Sequence, residues 1–261
     1  MTSKPTDSPR RAPGLAPELR IAGRIATITL RRPDLANRLE PADLDTLRGF
    51  IRDVNGQRDV LVLRITGEGR HFCAGFNIGS VDGDTGERFE ALANQLEDAR
   101  PVTIAGINGG VYGGGTDLAL ACDFRIGLDT TQMFVPAARL GLLFYRGGLE
   151  RYVSRLGPNV AKRVLLAAET FDAAQMQAIG FLDKVVVRDA LQGEVDRLSD
   201  ELAAMAPLAL LGMKKHMNRI ARGTFDADEF SRDVAKADAS SDLREGALAW
   251  KEKRKPVFRG E

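Results

Sequence analysis

Five of the seven residues from Gly109 to Gly115 are glycine, within the stretch NGGVYGGGTDLALACDF that runs from Asn108 to Phe124. Glycine is costly to order, so such a cluster marks a place where backbone must come very close to something. A short apolar run, PVTIAGING, leads into it, and a helix-like stretch with Asp117 in its first turn follows. A strand, then glycines, then a helix start aims free backbone N–H groups outward. The first-turn donors have no partner inside the helix, and the helix dipole makes that end positive. A phosphate, a packed neighbouring strand or a reacting oxygen could occupy the space. The spacing Gly-Gly-Val-Tyr-Gly-Gly-Gly is not G-x-G-x-x-G, and no Gly-Lys-Ser/Thr occurs, which disfavours phosphate.

The chain around this cluster alternates strands and helices. LRIAGRIATITL predicts a hairpin about Gly23 leading into a strand at Ile25–Leu30. Leu44, Leu47, Phe50 and Ile51 fall at helical spacing behind Pro41, which suits a first turn. DVLVLRITG has the length and apolar continuity of a buried strand. TGERFEALANQLEDA predicts a helix, DLALACD a short helix and FRIGL a strand. Such an order makes an α/β chain with crossovers. After about Val186 the sequence turns helical and charged, with apolar faces suited to its own core or to another subunit. The expected division is a flexible tail over residues 1–17, an α/β core over 18–198 and a C-terminal helical oligomerisation section over 199–261.

Composition narrows the function classes. With 261 residues the chain can bury a substantial core, and its net charge of +1 calls for neither nucleic acid nor an anionic membrane surface. No apolar run reaches the roughly 18 residues of a membrane span. The two cysteines, Cys73 and Cys122, form no CxxC pattern, and a reducing, cytoplasmic compartment is expected. Two distant histidines, His71 and His216, make neither a zinc site nor a triad, so no metal is expected. His216 in MKKHMN reads as a surface-helix residue, and Cys73 as packing.

GEGRHFCAGFNIGS, Gly67–Ser80, supplies a second glycine-containing turn at the end of another strand. Two such turns at the same ends of neighbouring strands could aim two N–H groups at one point. Two convergent donors make an oxyanion hole, which stabilises charge developing on a carbonyl oxygen. At these residues the chain resembles the enoyl-CoA hydratase/isomerase (crotonase) family. ITLRRPDLANRL is similar to that family's opening, HFCAGFNI to its first active-site loop, INGGVYGGGTDLALACDFRI to its glycine-rich segment and EGALAWKEKRKPVF to its closing segment. The four motifs stand in the family's order and span about residues 20–260.

The resemblance implies a crotonase-like spiral of β-β-α units followed by a helical C-terminal section. It also implies acyl-CoA chemistry of the kind used in fatty acid metabolism, trimers or pairs of trimers, and coenzyme A as a substrate handle with no separate cofactor. By the same resemblance Phe76 and Gly114 supply the oxyanion N–H groups, and Ala74, Asn77 and Ile78 lie beside the CoA adenine. Trp250 and Lys253 meet the nucleotide part of CoA, often from a neighbouring subunit. The family's first catalytic glutamate has Asp117 in its place, one turn beyond Gly114. The second has Ala137, behind a retained Pro136. A methyl group cannot move protons, so two-acid hydration is in doubt, while isomerisation, which shuttles one proton, needs one base. Tyr145 and Arg146 stand where family members place variable catalytic groups. Tyrosine could position water or a polar acyl group, and arginine could hold a carboxylate. Three functions follow: an isomerase or atypical lyase, a thioester hydrolase or malonyl-type decarboxylase using Tyr145 and Arg146, and a silent binding protein on the same fold.

Overall fold

A computed structural model describes residues 14–76 and 84–261. The chain opens with β1 (Glu18–Ala22) and β2 (Ile25–Leu30), an antiparallel hairpin pairing Glu18 with Thr29 and Ala22 with Ile25 across Gly23. Helix α1 (Pro41–Gly56) buries Leu44, Leu47, Ile51 and Val54 on one stripe, as the spacing predicts, and starts with Pro41 in its first turn. Three turns of a spiral follow. In the first, β3 (Val62–Gly67) passes into β4 (His71–Cys73) and helix α2 (Thr85–Glu97). In the second, β5 (Val102–Ile107) passes into β6 (Gly110–Tyr112) and α3 (Gly114–Leu120). In the third, β7 (Phe124–Leu128) passes into β8 (Gln132–Phe134) and α4 (Arg146–Leu165). The pair β9 (Phe171–Asp172) and β10 (Lys184–Val186) flanks α5 (Ala173–Ala178).

Each turn leaves one strand in each of two sheets. The larger has the order β1-β2-β3-β5-β7-β10 and the smaller β4-β6-β8-β9. From β2 to β10 the larger sheet is parallel, with Val62 opposite Val102 and Ile104 opposite Phe124. Every residue of β5 is buried, because both of its faces are covered. The main core joins α1 to both sheets through Ile28, Leu47, Leu63, Phe72, Val111 and Phe171. Since β3 and β5 are parallel neighbours, the bends that follow them lie side by side.

The C-terminal helices are α6 (Leu191–Ala203), α7 (Pro207–Ala221), α8 (Ala227–Asp238) and α9 (Ser241–Glu252). Val195 and Leu202 of α6 form a second core with Val62, Val102 and Ile104, so a division at 198/199 falls inside α6. Lys214 of α7 bonds the Pro101 carbonyl at 2.6 Å and pairs with Asp123 at 2.8 Å. His216 is buried rather than exposed. Its Nε2 meets Asp233 at 2.9 Å and its ring abuts Phe230, since α8 folds back over that face of α7. Of the segment expected as a tail, residues 14–17 are described and are tied down: the Leu15 N–H donates to the Arg31 carbonyl at 3.0 Å, and Arg31 Nε donates to the Ala16 carbonyl at 3.0 Å. Among the described residues no helix is long and apolar enough to cross a membrane.

Candidate active site

The glycine cluster lets two bends touch. Gly75 follows β4 with φ +82°, and Gly113 precedes α3 with φ +52° and ψ −128°, conformations that side chains with a Cβ rarely adopt. A Cβ added to Gly75 would lie 2.6 Å from the Gly114 nitrogen, and one added to Gly115 would lie 2.3 Å from the Cys73 carbonyl oxygen. The bends thus pack backbone against backbone. Three anchors hold the first. Leu39 N donates to Gly75 O at 2.8 Å, Ala74 N donates to Ala36 O at 2.9 Å, and Asn37 Nδ2 donates to the carbonyls of Glu68 and His71 at 2.9 and 2.7 Å. The second is held by Gly113 N donating to Phe134 O at 3.0 Å. In the hydrogen bonds of the described residues neither the Phe76 nor the Gly114 N–H is a donor.

Ala74 lies at the same junction, with its carbonyl oxygen 3.5 Å from a Cβ position on Gly113. Asn77 and Ile78 lie outside the described residues. Cys73 is fully buried, and burial pushes its thiol up to about 12, so it is a packing group and no nucleophile. Among the described residues no group of three or more His, Cys, Asp or Glu side chains could hold a metal ion.

Asp117 stands in the first turn of α3, one turn beyond Gly114, but it is wholly buried and already engaged. Its two oxygens accept from Arg151 Nη1 at 2.8 and 2.7 Å, and Oδ2 also accepts from the Tyr145 hydroxyl at 2.6 Å. Arg151 is itself 0% exposed, and its Nη2 donates to Asn94 Oδ1 at 2.8 Å. Its Nε lies 3.2 Å from Glu97 Oε1 without the geometry of a hydrogen bond. Glu97 also pairs with Arg155 at 3.0 Å and with Arg222, whose Nη1 lies 3.6 Å from Glu150. Burial alone would raise the Glu97 carboxyl, but Arg151, Arg155 and Arg222 outweigh it and hold it below the ordinary carboxylate range. Burial likewise pulls Arg151 down, and Asp117 and Glu97 more than reverse that, so it stays charged.

Tyr145 is half-buried at the head of α4, stacked on Phe144 at 4.7 Å between ring centres and tilted against Phe89 at 6.0 Å. Phe89 in turn covers Gly114, where an added Cβ would meet its ring at 2.8 Å. Burial, and then the neighbouring Asp117 charge, keep the Tyr145 hydroxyl well above its ordinary 10 and therefore protonated. Arg146 does not join the group. Its side chain is 87% exposed and pairs with Glu150 at 2.6 Å, because helix α4 turns it away from the buried Gly147, Gly148 and Arg151 face. The arginine at the carboxylate is Arg151, which sequence reading missed. Its one signal is that Gly147, Gly148, Arg151 and Tyr152 share a helix face, and glycines there permit close approach: Gly147 N donates to Glu90 Oε1 at 2.6 Å. Ala137 is buried, after Pro136. Trp250, 88% exposed, and Lys253, which ends α9 at φ +55°, lie on the last helix, whose packing partner is α8. A cavity of ≈ 930 Å³ lies elsewhere, between α7 and Arg58–Asp59, and shares with this site only Glu97.

Residues 20–261 match the model of the family described as enoyl-CoA hydratase/isomerase. The chain belongs to the enoyl-CoA hydratase/isomerase family. A probable enoyl-CoA hydratase of Mycobacterium tuberculosis is 30% identical over 243 residues, covering 90% of this chain and 94% of that protein. The crotonyl-CoA hydratase of Syntrophomonas wolfei is 30% identical over 254 residues, again covering 90% and 94%. Among solved structures, Pseudomonas aeruginosa DspI is 33% identical with a TM-score of 0.85, covering 97% of this chain and 100% of that one. An enoyl-CoA hydratase/carnithine racemase from Magnetospirillum magneticum is 28% identical with a TM-score of 0.87, covering 94% and 96%. The spiral and its helical C-terminal section are thus the crotonase fold, and this family member carries enzyme activity of the hydratase/isomerase class.

Proposed function

We propose that the chain acts on acyl-CoA thioesters, holding the thioester carbonyl oxygen between the Phe76 and Gly114 N–H groups while an enolate forms. The observation that supports this is the contact of the two bends at Gly75 and Gly114, with neither amide a donor in the hydrogen bonds of the described residues. Donors fixed before the reaction begins stabilise developing charge without reorganising. Coenzyme A is the handle, needs no further cofactor, and is read beside Ala74. Because Ala137 replaces the second carboxylate, double-bond isomerisation or an atypical lyase reaction is favoured over hydration. The decarboxylase alternative loses its carboxylate holder, since Arg146 faces solvent.

A homotrimer or a pair of trimers completes the reading. In this reading Trp250 and Lys253 meet the nucleotide part of CoA from a neighbouring copy, and Met213, Met217, Ile220 and Leu243 give the C-terminal helices exposed apolar surface to bury. The location is cytoplasmic. The test is to incubate the purified protein separately with crotonyl-CoA, a 3-enoyl-CoA and methylmalonyl-CoA and follow products by mass spectrometry. Conversion of the 3-enoyl ester at the highest kcat/KM is expected. Turnover of methylmalonyl-CoA alone would replace isomerisation with decarboxylation, and failure to bind any of the three would end the acyl-CoA reading.

A further inference from the structure

The carboxylate expected to carry the proton is out of reach. Asp117 has no exposed surface, both its oxygens accept from Arg151, and the remaining approach to Oδ2 is filled by the Tyr145 hydroxyl. Phe89 covers Gly114, and the half-buried Tyr145 ring lies beside Phe89 at 6.0 Å between ring centres. The Tyr145 O–H bond points at Asp117, so the lone pairs of that oxygen face away from the carboxylate. A group placed this way presents an acceptor to the substrate and has a second acceptor behind it.

We propose that Tyr145 is the catalytic residue that meets the acyl chain, that Asp117 acts only through it, and that Arg151 is the positioning residue that fixes Asp117. The step balances simply. Tyr145 Oη takes a proton from the carbon next to the thioester as its own hydroxyl proton crosses the 2.6 Å to Asp117 Oδ2. The C–H electron pair moves onto the thioester oxygen between the two amides, and Asp117 becomes a neutral acid. Exchange of the Tyr145 hydroxyl proton with solvent followed by reversal at the same carbon gives hydrogen exchange, and delivery of the proton to the γ-carbon of the dienolate formed from a 3-enoyl ester gives isomerisation. Arg151 holds the receiving oxygen on the Tyr145 side, with Asn94 and Glu97 fixing its fork. The inference rests on the acyl-CoA reading above.

The experiment measures exchange of the α-hydrogens of butyryl-CoA in D2O by proton NMR, with affinity for butyryl-CoA measured in parallel by calorimetry and folding checked by circular dichroism. Tyr145→Phe is expected to lose exchange by about 100-fold or more, the range of a positioned acid–base group, with affinity close to wild type. Asp117→Asn should lose a similar factor, and the double variant should be no slower than Tyr145→Phe alone. Arg151→Lys, which keeps the charge without the fork, should displace the pH–rate profile, whereas a residue that only supports the fold would lower the rate and leave the profile in place. Exchange that survives in Tyr145→Phe but not in Asp117→Asn would overturn the proposal, as would independent, multiplicative losses in the double variant. A wild-type protein that binds butyryl-CoA and exchanges nothing also overturns it, while leaving the acyl-CoA reading standing. Absence of binding removes that reading and this inference together.

Discussion

Replacing Arg151 with methionine removes the cation at the centre of the buried network while keeping much of its apolar stem. Arg151 lies 2.7 Å from Asp117 and 3.2 Å from Glu97, separations at which unit charges attract by about 6 and about 5 kcal/mol for an effective dielectric near 20. Most of this is offset by the cost of drawing a guanidinium and two carboxylates out of water. When one partner goes, the loss is dominated by the charge left behind, about 3–5 kcal/mol for a buried pair. Glu97 keeps Arg155 and Arg222, so the penalty falls on Asp117, whose remaining side-chain partner among the described residues is the Tyr145 hydroxyl. A loss of about 4 kcal/mol is expected, or roughly 8–16 °C in Tm for a chain of this size. Far-UV circular dichroism is the appropriate probe, because the single tryptophan, Trp250, is 88% exposed and reports little of the core. Arg146→Met supplies the matched control: the same substitution on the same helix, at a solvent-facing guanidinium paired with Glu150. It should melt with the wild type. Adding Asp117→Leu to Arg151→Met should recover part of the loss, since the orphaned carboxylate is then gone. Equal melting of Arg146→Met and Arg151→Met would refute the argument.

Gly115→Ala drives a Cβ to 2.3 Å from the Cys73 carbonyl, forcing the two bends apart. A loss of about 2 kcal/mol by urea unfolding is expected, whereas Gly212→Ala, where nothing lies within 4 Å, should gain up to about 1 kcal/mol from helix propensity. Glu97 is held below the ordinary 4.5, so its contribution is fully present above that pH and is lost as pH falls through its folded-state value. The gap in Tm between wild type and Glu97→Gln should therefore be widest near neutrality and narrow on acidification below 4.5; a gap that widens in acid would contradict the assignment.

Some of this molecule is written locally and some is not. The bends are legible because a positive φ and a backbone contact leave a compositional trace: only glycine tolerates φ +82° at Gly75 beside the Gly114 nitrogen, and so the sequence must show it. The stripe of Leu44, Leu47 and Ile51 is legible for the same reason, since helical period and burial coincide within one element. His216 and Arg151 are not legible locally, because their surroundings come from elsewhere in the chain. His216 is covered by α8, and Arg151 is wrapped by Asn94 and Glu97 of α2 and Asp117 of α3. A charged residue in RGGLERYV reads as solvent-facing by default, and Arg146, four residues before Glu150, satisfies that default.

The consequence for chemistry is that a motif position and a chemical role are separable. Asp117 stands where the resemblance expects a proton carrier, one turn from the amide of Gly114, yet its oxygens are engaged by partners that no local pattern encodes. Ala137, behind Pro136, offers no carboxylate at the position where the resemblance expects a second one, and that is visible in one residue. The half-buried Tyr145 hydroxyl is the polar group set between the aromatic cover of Gly114 and the buried charge, and in the proposed reaction the proton reaches the carboxylate through it.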